Sequence, residues 1–290
     1  MNHQKSPQRI VTHPGSAHKD DLLACAVWLA FHPVPIHRRE PEAADLECQE
    51  TAVIDVGLQH SPINLNFDHH QFPRDHTPQC ALSLILQYFA LYESARAHCE
   101  WLETLEWFDC RGANQTADFL GISREAVARL NSPLDVGMTR EFSRHELLQP
   151  GDPLWEMMKR IGSGLVEYLT MMSDRMNYLR QHSQWWALDQ SQEKWILFIP
   201  QDPLPPDDTR SAVRTYLHES SGGRTVVGLI YPDRRGDGYG LSRHEDHPAL
   251  DLTRIQNEPD VHFAHANGFL AKTSARDTER LTVLLKAALC

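Results

Sequence analysis

The run Asn66-Phe67-Asp68-His69-His70-Gln71 sets a carboxylate and two imidazoles side by side, after an apolar approach at Ile63, Leu65 and Phe67. Imidazoles and carboxylates held together can move protons near neutral pH or grip divalent metal ions. With 21 Asp and 17 His in 290 residues, an Asp-His-His triplet arises by accident in roughly 7% of chains of this composition. Its company lifts it above chance. His13, His18 and Asp20 lie upstream, Asp55 closes a Val53-Ile54 run, and Asp109 lies downstream.

Mixed His/Asp ligation suits Mn²⁺, Zn²⁺, Co²⁺ or Fe²⁺ better than Ca²⁺, and Mg²⁺ is compatible with it. Two ions about 3.5–4 Å apart can clamp the attacking and leaving oxygens of an in-line displacement at phosphorus. His13, His18, Asp20, Asp55, His69 and Asp109 offer six ligand groups, enough for two ions, with two Mn²⁺ the first expectation. Asp55, at the tip of a strand, is expected to bridge them. His70 is expected to face the phosphate or leaving oxygen, with Asp68 orienting an imidazole from behind. Asp55, Asp68 and His70 are therefore the expected catalytic residues. Taken singly, each has a bland reading: a loop His is usually a surface His, and Asp20 or Asp109 could be a helix-end charge. Joint placement at the ends of strands argues for more. His3, His32, His37, His60, His76, His98, His145 and His182 read as surface or packing residues.

The elements that must carry these residues follow from the apolar pattern. Residues 8–12 read as a first strand, and 13–18 as a loop broken by Pro14 and Gly15. A helix follows, with Asp20 and Asp21 in its first turn, where carboxylates suit the positive end of the dipole. Its body, 22–30, is apolar nearly all round and so is expected between layers. Residues 34–38 and 51–57 read as further strands, the latter continuous enough for a buried parallel strand. Strand, loop, helix, strand begins a doubly wound, mainly parallel α/β sheet, whose site lies beyond the carboxyl ends of its strands. The middle reads as helices over 81–92, 95–107 and 123–130, with Asp109 opening a loop, 132–149 mostly loop, and a long helix over 153–180. From about residue 185 short strands and helices mix. The expectation is a metal-binding domain over 1–184 and a smaller α+β domain over 185–290.

Composition bounds the rest. The chain is 41% apolar and 23% charged, as in globular proteins. A net charge of −11 argues against coating duplex nucleic acid through a broad basic face. The first nine residues contain no apolar leader, no run is long enough to span a bilayer, and six cysteines without a CxxC pair suggest reduced thiols. A cytoplasmic protein with no membrane partner is the expectation.

The pattern Thr12-His13-Pro14-Gly15-Ser16-Ala17-His18-Lys19-Asp20-Asp21, then Asp55-Val56-Gly57, then Phe67-Asp68-His69-His70-Gln71, then Asp109, resembles the melanocyte-proliferating-gene family of the DHH phosphoesterase superfamily. The tail Phe263-Ala264-His265-Ala266-Asn267-Gly268-Phe269 is similar to that family's His-Ala-Ser-Gly-Phe stretch. The resemblance implies a DHH-type metal domain followed by a substrate domain, and hydrolysis of phosphoesters, as in eukaryotic members described as 3′-to-5′ RNA exonucleases. It implies a substrate role for His265, Asn267 and Gly268, beside which Arg234, Arg235 and Arg243 could fork phosphate. The chain departs from the family at Lys19-Asp20-Asp21, where Cys-Asp-Glu is usual, and at Arg111-Gly112-Ala113-Asn114, where Asp-Asn-Gly is usual. The family's Arg-Gly segment before the tail is not recognisable; residues 239–255 stand there.

The leading expectation is a metal-dependent phosphodiesterase acting on the 3′ end of single-stranded RNA or a short oligonucleotide. A phosphatase for a small nucleotide or pyrophosphate-like substrate is the first alternative, which the acidic charge favours slightly. The second is a non-catalytic nucleotide- or metal-sensing module. The sequence leaves a homodimer open.

Overall fold

The structure is a computed structural model, and it describes residues 7–130, 132–188, 193–234 and 236–290. It is a mixed α/β protein with two six-stranded sheets. The chain separates into two units, Met1–Met171 and Met172–Cys290. That division falls inside one long helix, upstream of residue 185, where the sequence pattern changes.

In the first unit the elements run β1 (Arg9–Thr12), α1 (Lys19–Phe31), β2 (Ile36–Arg38), α2 (Ala43–Glu47), β3 (Thr51–Ile54), β4 (His60–Ser61) and β5 (Asn66–Phe67). Then come α3 (Ala81–Tyr88), α4 (Tyr92–His98), α5 (Glu100–Leu120), α6 (Arg124–Arg129), α7 (Pro133–Ser143), β6 (Leu147–Leu148) and α8 (Pro153–His182), whose end belongs to the second unit. The strand order is β4-β5-β3-β1-β2-β6. The interior pairs β1–β2, β1–β3 and β3–β5 are parallel, and the edge pairs β4–β5 and β2–β6 antiparallel. The all-round apolar body of α1 is explained by its surroundings: Ala24, Cys25, Ala26, Val27, Trp28 and Leu29 are wholly buried in the core of this unit. Trp28 packs against Phe67 of β5 and stacks on Tyr88 of α3.

Two local expectations are corrected. Residues 132–149 are not mostly loop, because α7 and β6 occupy most of them. The helix starts on Ser132, whose side chain accepts the Leu134 N–H, with Pro133 at its first position. That is a standard helix start, and it outweighed the internal Gly137. Asp109 does not open a loop either. It sits within α5, and the chain turns only at Gly112, whose φ of 74° is not helical.

The second unit carries β7 (Gln184–Ala187), β8 (Lys194–Phe198), α9 (Val213–Ser220), β9 (Thr225–Pro232), β10 (Tyr239–Arg243), β11 (Val261–Ala264), β12 (Leu270–Thr273) and α10 (Thr278–Ala287). Its sheet runs β11-β12-β10-β9-β8-β7, antiparallel except for β8–β9. It has its own core, built on Ile196, Val227, Ile230, Leu241 and Ala271 with Leu281, Leu284 and Leu285 of α10. No helix among the described residues is long and apolar enough to cross a membrane. All six cysteines are free thiols.

Candidate metal centre

Strand register assembles the site. Thr12 lies opposite Ile54, and Ile54 opposite Phe67. One residue further along, at the carboxyl ends, His13, Asp55 and Asp68 therefore stand at adjacent strand tips. Asp55 has φ 59°, a left-handed backbone that Asp tolerates better than most residues, and strain of this kind gathers at functional sites. His69 and His70 follow Asp68 directly. Helix α1 brings Asp20 and Asp21 from its first turn, and α5 brings Asp109 and Cys110.

The side chains converge. His69 Nε2 lies 3.2 Å from Asp55 Oδ1 and 3.0 Å from Asp109 Oδ2. His13 Nε2 lies 2.9 Å from Asp21 Oδ2 and 3.5 Å from Asp55 Oδ2. His18 Nδ1 lies 3.6 Å from Asp109 Oδ1. Three overlapping ligand groups result: His13, His18 and Asp55; His18, Asp20 and Asp109; and Asp55, Asp68, His69 and His70. A fourth joins His69 and Asp109 to Cys110. All six expected ligands are thus in one place, and Asp55 belongs to two of the groups.

A metal fits this donor set for a reason beyond proximity. His13 Nε2, both oxygens of Asp20, Asp55 Oδ1 and His69 Nε2 are buried and lack a hydrogen-bond partner, although several sit within ion-pair distance of one another. Buried polar atoms are rarely left so. His13 Nδ1–H donates to the Pro14 carbonyl at 3.0 Å, which leaves the lone pair on Nε2 aimed at the carboxylates. A histidine held by its far nitrogen in this way is arranged like a metal ligand. Lone pairs facing lone pairs need a cation or protons between them.

Without an ion, protons would fill that role. The Asp21 carboxylate beside His13 pulls its imidazole up to about 9, against the effect of burial. Burial disfavours the charged form of His69, but Asp109 and Asp55 outweigh it and raise its pKa. Burial, then the neighbouring carboxylates Asp55, Asp109 and Asp21, push Asp20 well above the ordinary range. Asp55 is raised too, mainly by burial, whereas Asp109 is held low by His69 despite its burial.

His70 lies at the exposed edge of this cluster, its Nδ1 3.8 Å from Asp55 Oδ1. Its Nδ1–H donates to Asp68 Oδ1 at 2.7 Å, and half of its side chain is exposed. Buried Asp68 also accepts the backbone N–H of Leu58 and of His70. It is thus a fixed acceptor that aims the His70 ring outward.

Three residues went unassigned in the sequence. Asp21 accepts the His18 backbone N–H, capping α1, while its other oxygen faces His13. Cys110 Sγ lies 3.7 Å from His69 Nδ1. Arg38, at the end of β2, is buried and donates to the carbonyls of Gly15, Ser16 and Phe142. The rule that pointed to strand ends also covered Arg38, since it lies opposite Thr12 in register.

The residues expected to bind substrate lie in the second unit. His265 and Asn267 form the turn between β11 and β12, where Asn267 N–H donates to His265 Nδ1 at 3.1 Å. Gly268 has φ +70°, its amide already donates to the His265 carbonyl, and a Cβ on it would collide with the Asp251 carboxylate. Arg243 pairs with exposed Asp246, and Arg234 with Asp207 and Asp208. Arg235 lies outside the described residues.

Comparison with known proteins agrees with the resemblance read from the motifs. Residues 9–89 match the model of the MYG1 exonuclease family, described as an uncharacterised protein family, UPF0160. The chain is 31% identical over 139 residues to a MYG1 protein of Chlamydia pneumoniae, covering 47% of this chain and 46% of that one. It is 36% identical over 74 residues to the MYG1 exonuclease of Rattus norvegicus, covering 24% of this chain and 19% of that one. The match thus spans less than half the length of these curated relatives. A solved DHH domain, from a member of the s1p family of ribosomal proteins, aligns over 97% of this chain and 86% of its own at 12% identity and a TM-score of 0.35, too distant to argue from.

Proposed function

We propose, starting from the match of residues 9–89 to the MYG1 family model, that the protein is a metal-dependent phosphoesterase that removes nucleotides from the 3′ end of single-stranded RNA or short oligonucleotides. What supports this most is the set of buried, unpartnered nitrogens and carboxylate oxygens on His13, Asp20, Asp55 and His69. His13, His18, Asp20, Asp55, His69 and Asp109 would hold two divalent ions, with Mn²⁺ the first choice and Mg²⁺, Co²⁺ or Zn²⁺ as substitutes. Such ions supply an acidified water and positive charge for the phosphoryl oxygens.

The remaining work belongs to the chain. His70, fixed through Nδ1 by Asp68 and half exposed, would donate a proton to the leaving oxygen. Asp21 and the Pro14 carbonyl orient His13. His265 and Arg243 of the second unit would meet the phosphates of the strand.

The net charge of −11 favours one competing reading, a small nucleotide or pyrophosphate substrate, because long strands reward basic grooves. One experiment separates them. Metal-reconstituted protein is incubated with end-labelled RNA, DNA, dinucleotides and pyrophosphate. Stepwise shortening of RNA from its 3′ end is the expected result. Release of phosphate from pyrophosphate with RNA left whole would overturn the oligonucleotide reading.

A further inference from the structure

His69 is the most deeply buried histidine of the site, and only one of its two ring nitrogens faces the carboxylates. Nε2 lies between Asp55 and Asp109, without a hydrogen-bond partner. Nδ1 looks the other way, and what meets it there is a sulfur, Cys110 Sγ at 3.7 Å. His13 is arranged alike, with Nε2 facing Asp21 and Asp55 and Nδ1 held by the Pro14 carbonyl. A histidine that ligates a metal usually donates its other N–H to a carboxylate, a carbonyl or water. His69 has a thiol in that place, and among the described residues no other acceptor meets its Nδ1.

The helix that carries Cys110 is fixed on both sides of it. Leu102 and Glu106 lie on the buried face of α5, and Asp109 and Cys110 come one turn later on the same face. Glu106 is pinned: Oε1 accepts the Ser83 hydroxyl at 2.6 Å and the Tyr92 hydroxyl at 2.8 Å, and Oε2 accepts Arg96 Nη1–H at 3.1 Å. Beyond Cys110, Arg111 donates through Nη2 to the His76 carbonyl, in the loop that follows the triplet. Cys110 itself is half-buried against the core of the first unit. One helix thus brings a carboxylate to Nε2 and a sulfur to Nδ1 of the same ring.

We propose that Cys110 is a positioning residue of the metal centre, whose sulfur accepts the Nδ1–H of His69 and so holds Nε2 toward the ion. An ion on Nε2 leaves the ring proton on Nδ1, where the sulfur can accept it. Sulfur is a weak acceptor, but without it a buried N–H would have none. Cys110 is also near enough to Asp109 and His69 to join them around a metal. Its sulfur faces Nδ1, however, and Nε2 with its two carboxylates lies across the ring. The inference rests on the metal centre of the reading above and not on which phosphoester is cut.

The test uses the full chain loaded with Mn²⁺ or Co²⁺. Cys110→Ala removes the acceptor, and Cys110→Ser replaces it with a hydroxyl. The Ala variant is expected to bind Mn²⁺ about tenfold more weakly, and the Ser variant to recover most of that loss. Melting of the metal-free proteins checks that each variant folds. Proton NMR of the Co²⁺-loaded wild type should show a shifted imidazole N–H resonance that the Ser variant keeps and the Ala variant loses to exchange with water. Equal Mn²⁺ affinity in wild type and the Ala variant, with that resonance unchanged, would overturn the proposal. A Ser variant as weak as the Ala variant would also overturn it, since the sulfur would then only fill space. So would a sulfur-to-cobalt charge-transfer band in the near ultraviolet, which would make Cys110 a ligand. Wild-type protein that takes up metal, shows the expected effects and cuts no phosphoester would overturn the proposed activity and leave the role of Cys110 intact. Wild-type protein that takes up no metal would overturn both.

Discussion

Asp68 Oδ1 sits 2.7 Å from His70 Nδ1, so the first residue of the triplet orients the third and leaves the middle one, His69, facing Asp55 and Asp109. On the proposed reading these adjacent histidines have opposite duties. His69→Ala is expected to lose metal, whereas His70→Ala should keep its metal and lose turnover by about 10²-fold or more. Elemental analysis beside a rate measurement on the two variants decides. Full metal and similar activity in both would refute the division.

Asp55 is shared by two ligand groups and has a left-handed backbone that Asn also tolerates. Asp55→Asn should therefore fold, hold one ion or none, and show no hydrolysis. Asp55→Ala should do the same with about 1 kcal/mol of added backbone strain. Two ions retained in the Asn variant would remove Asp55 from the bridging position.

Arg38 ties the loop that bears His13 and His18 to α7 through the carbonyls of Gly15, Ser16 and Phe142, with its guanidinium 4.6 Å above the Phe142 ring. Arg38→Met would leave those carbonyls without their donor, at a cost of about 2–4 kcal/mol. Arg38→Lys should recover little, because an ammonium cannot reproduce the planar fork. In the Co²⁺-loaded protein the visible absorption of the metal should shift in both variants. An unchanged spectrum with unchanged thermal stability would dismiss the strut.

Metal should stabilise the first unit and displace protons from it. Saturation at about 100 times Kd is worth about 2.7 kcal/mol, so a chelator should lower the melting temperature by several degrees. Asp21 keeps the imidazole of His13 protonated up to about pH 9 in the metal-free protein. A proton there competes with the ion, so metal affinity should climb as pH rises from 7 to 9, and protons should be released on binding. Calorimetry in buffers of different ionisation enthalpy reads that release; its absence would count against His13 as a ligand.

The sequence by itself determined the ingredients. Apolar runs in β1 and β3 made buried parallel strands, the all-round apolar α1 required a buried helix, and, Asp109 apart, each acid or imidazole of the site followed a strand or stood at a helix start. That is local information, carried by side-chain polarity over a few residues. It could also mislead locally, as at 132–149, where a Ser-Pro start opens a helix, and at Asp109, which stays helical until Gly112. Tertiary structure decided what depends on register and direction. Aligning Thr12, Ile54 and Phe67 in one sheet puts His13, Asp55 and Asp68 at neighbouring tips, though they are far apart in the chain. The same packing turned Asp21 toward His13, buried Arg38 under the loop between them, and gave Asp68 to His70. A one-residue slip in β11 brought Phe263 to the surface beside His265. Residue order put the acids and imidazoles at strand ends but not which of them would face which, because neighbours in space are chosen only when strands and helices pack.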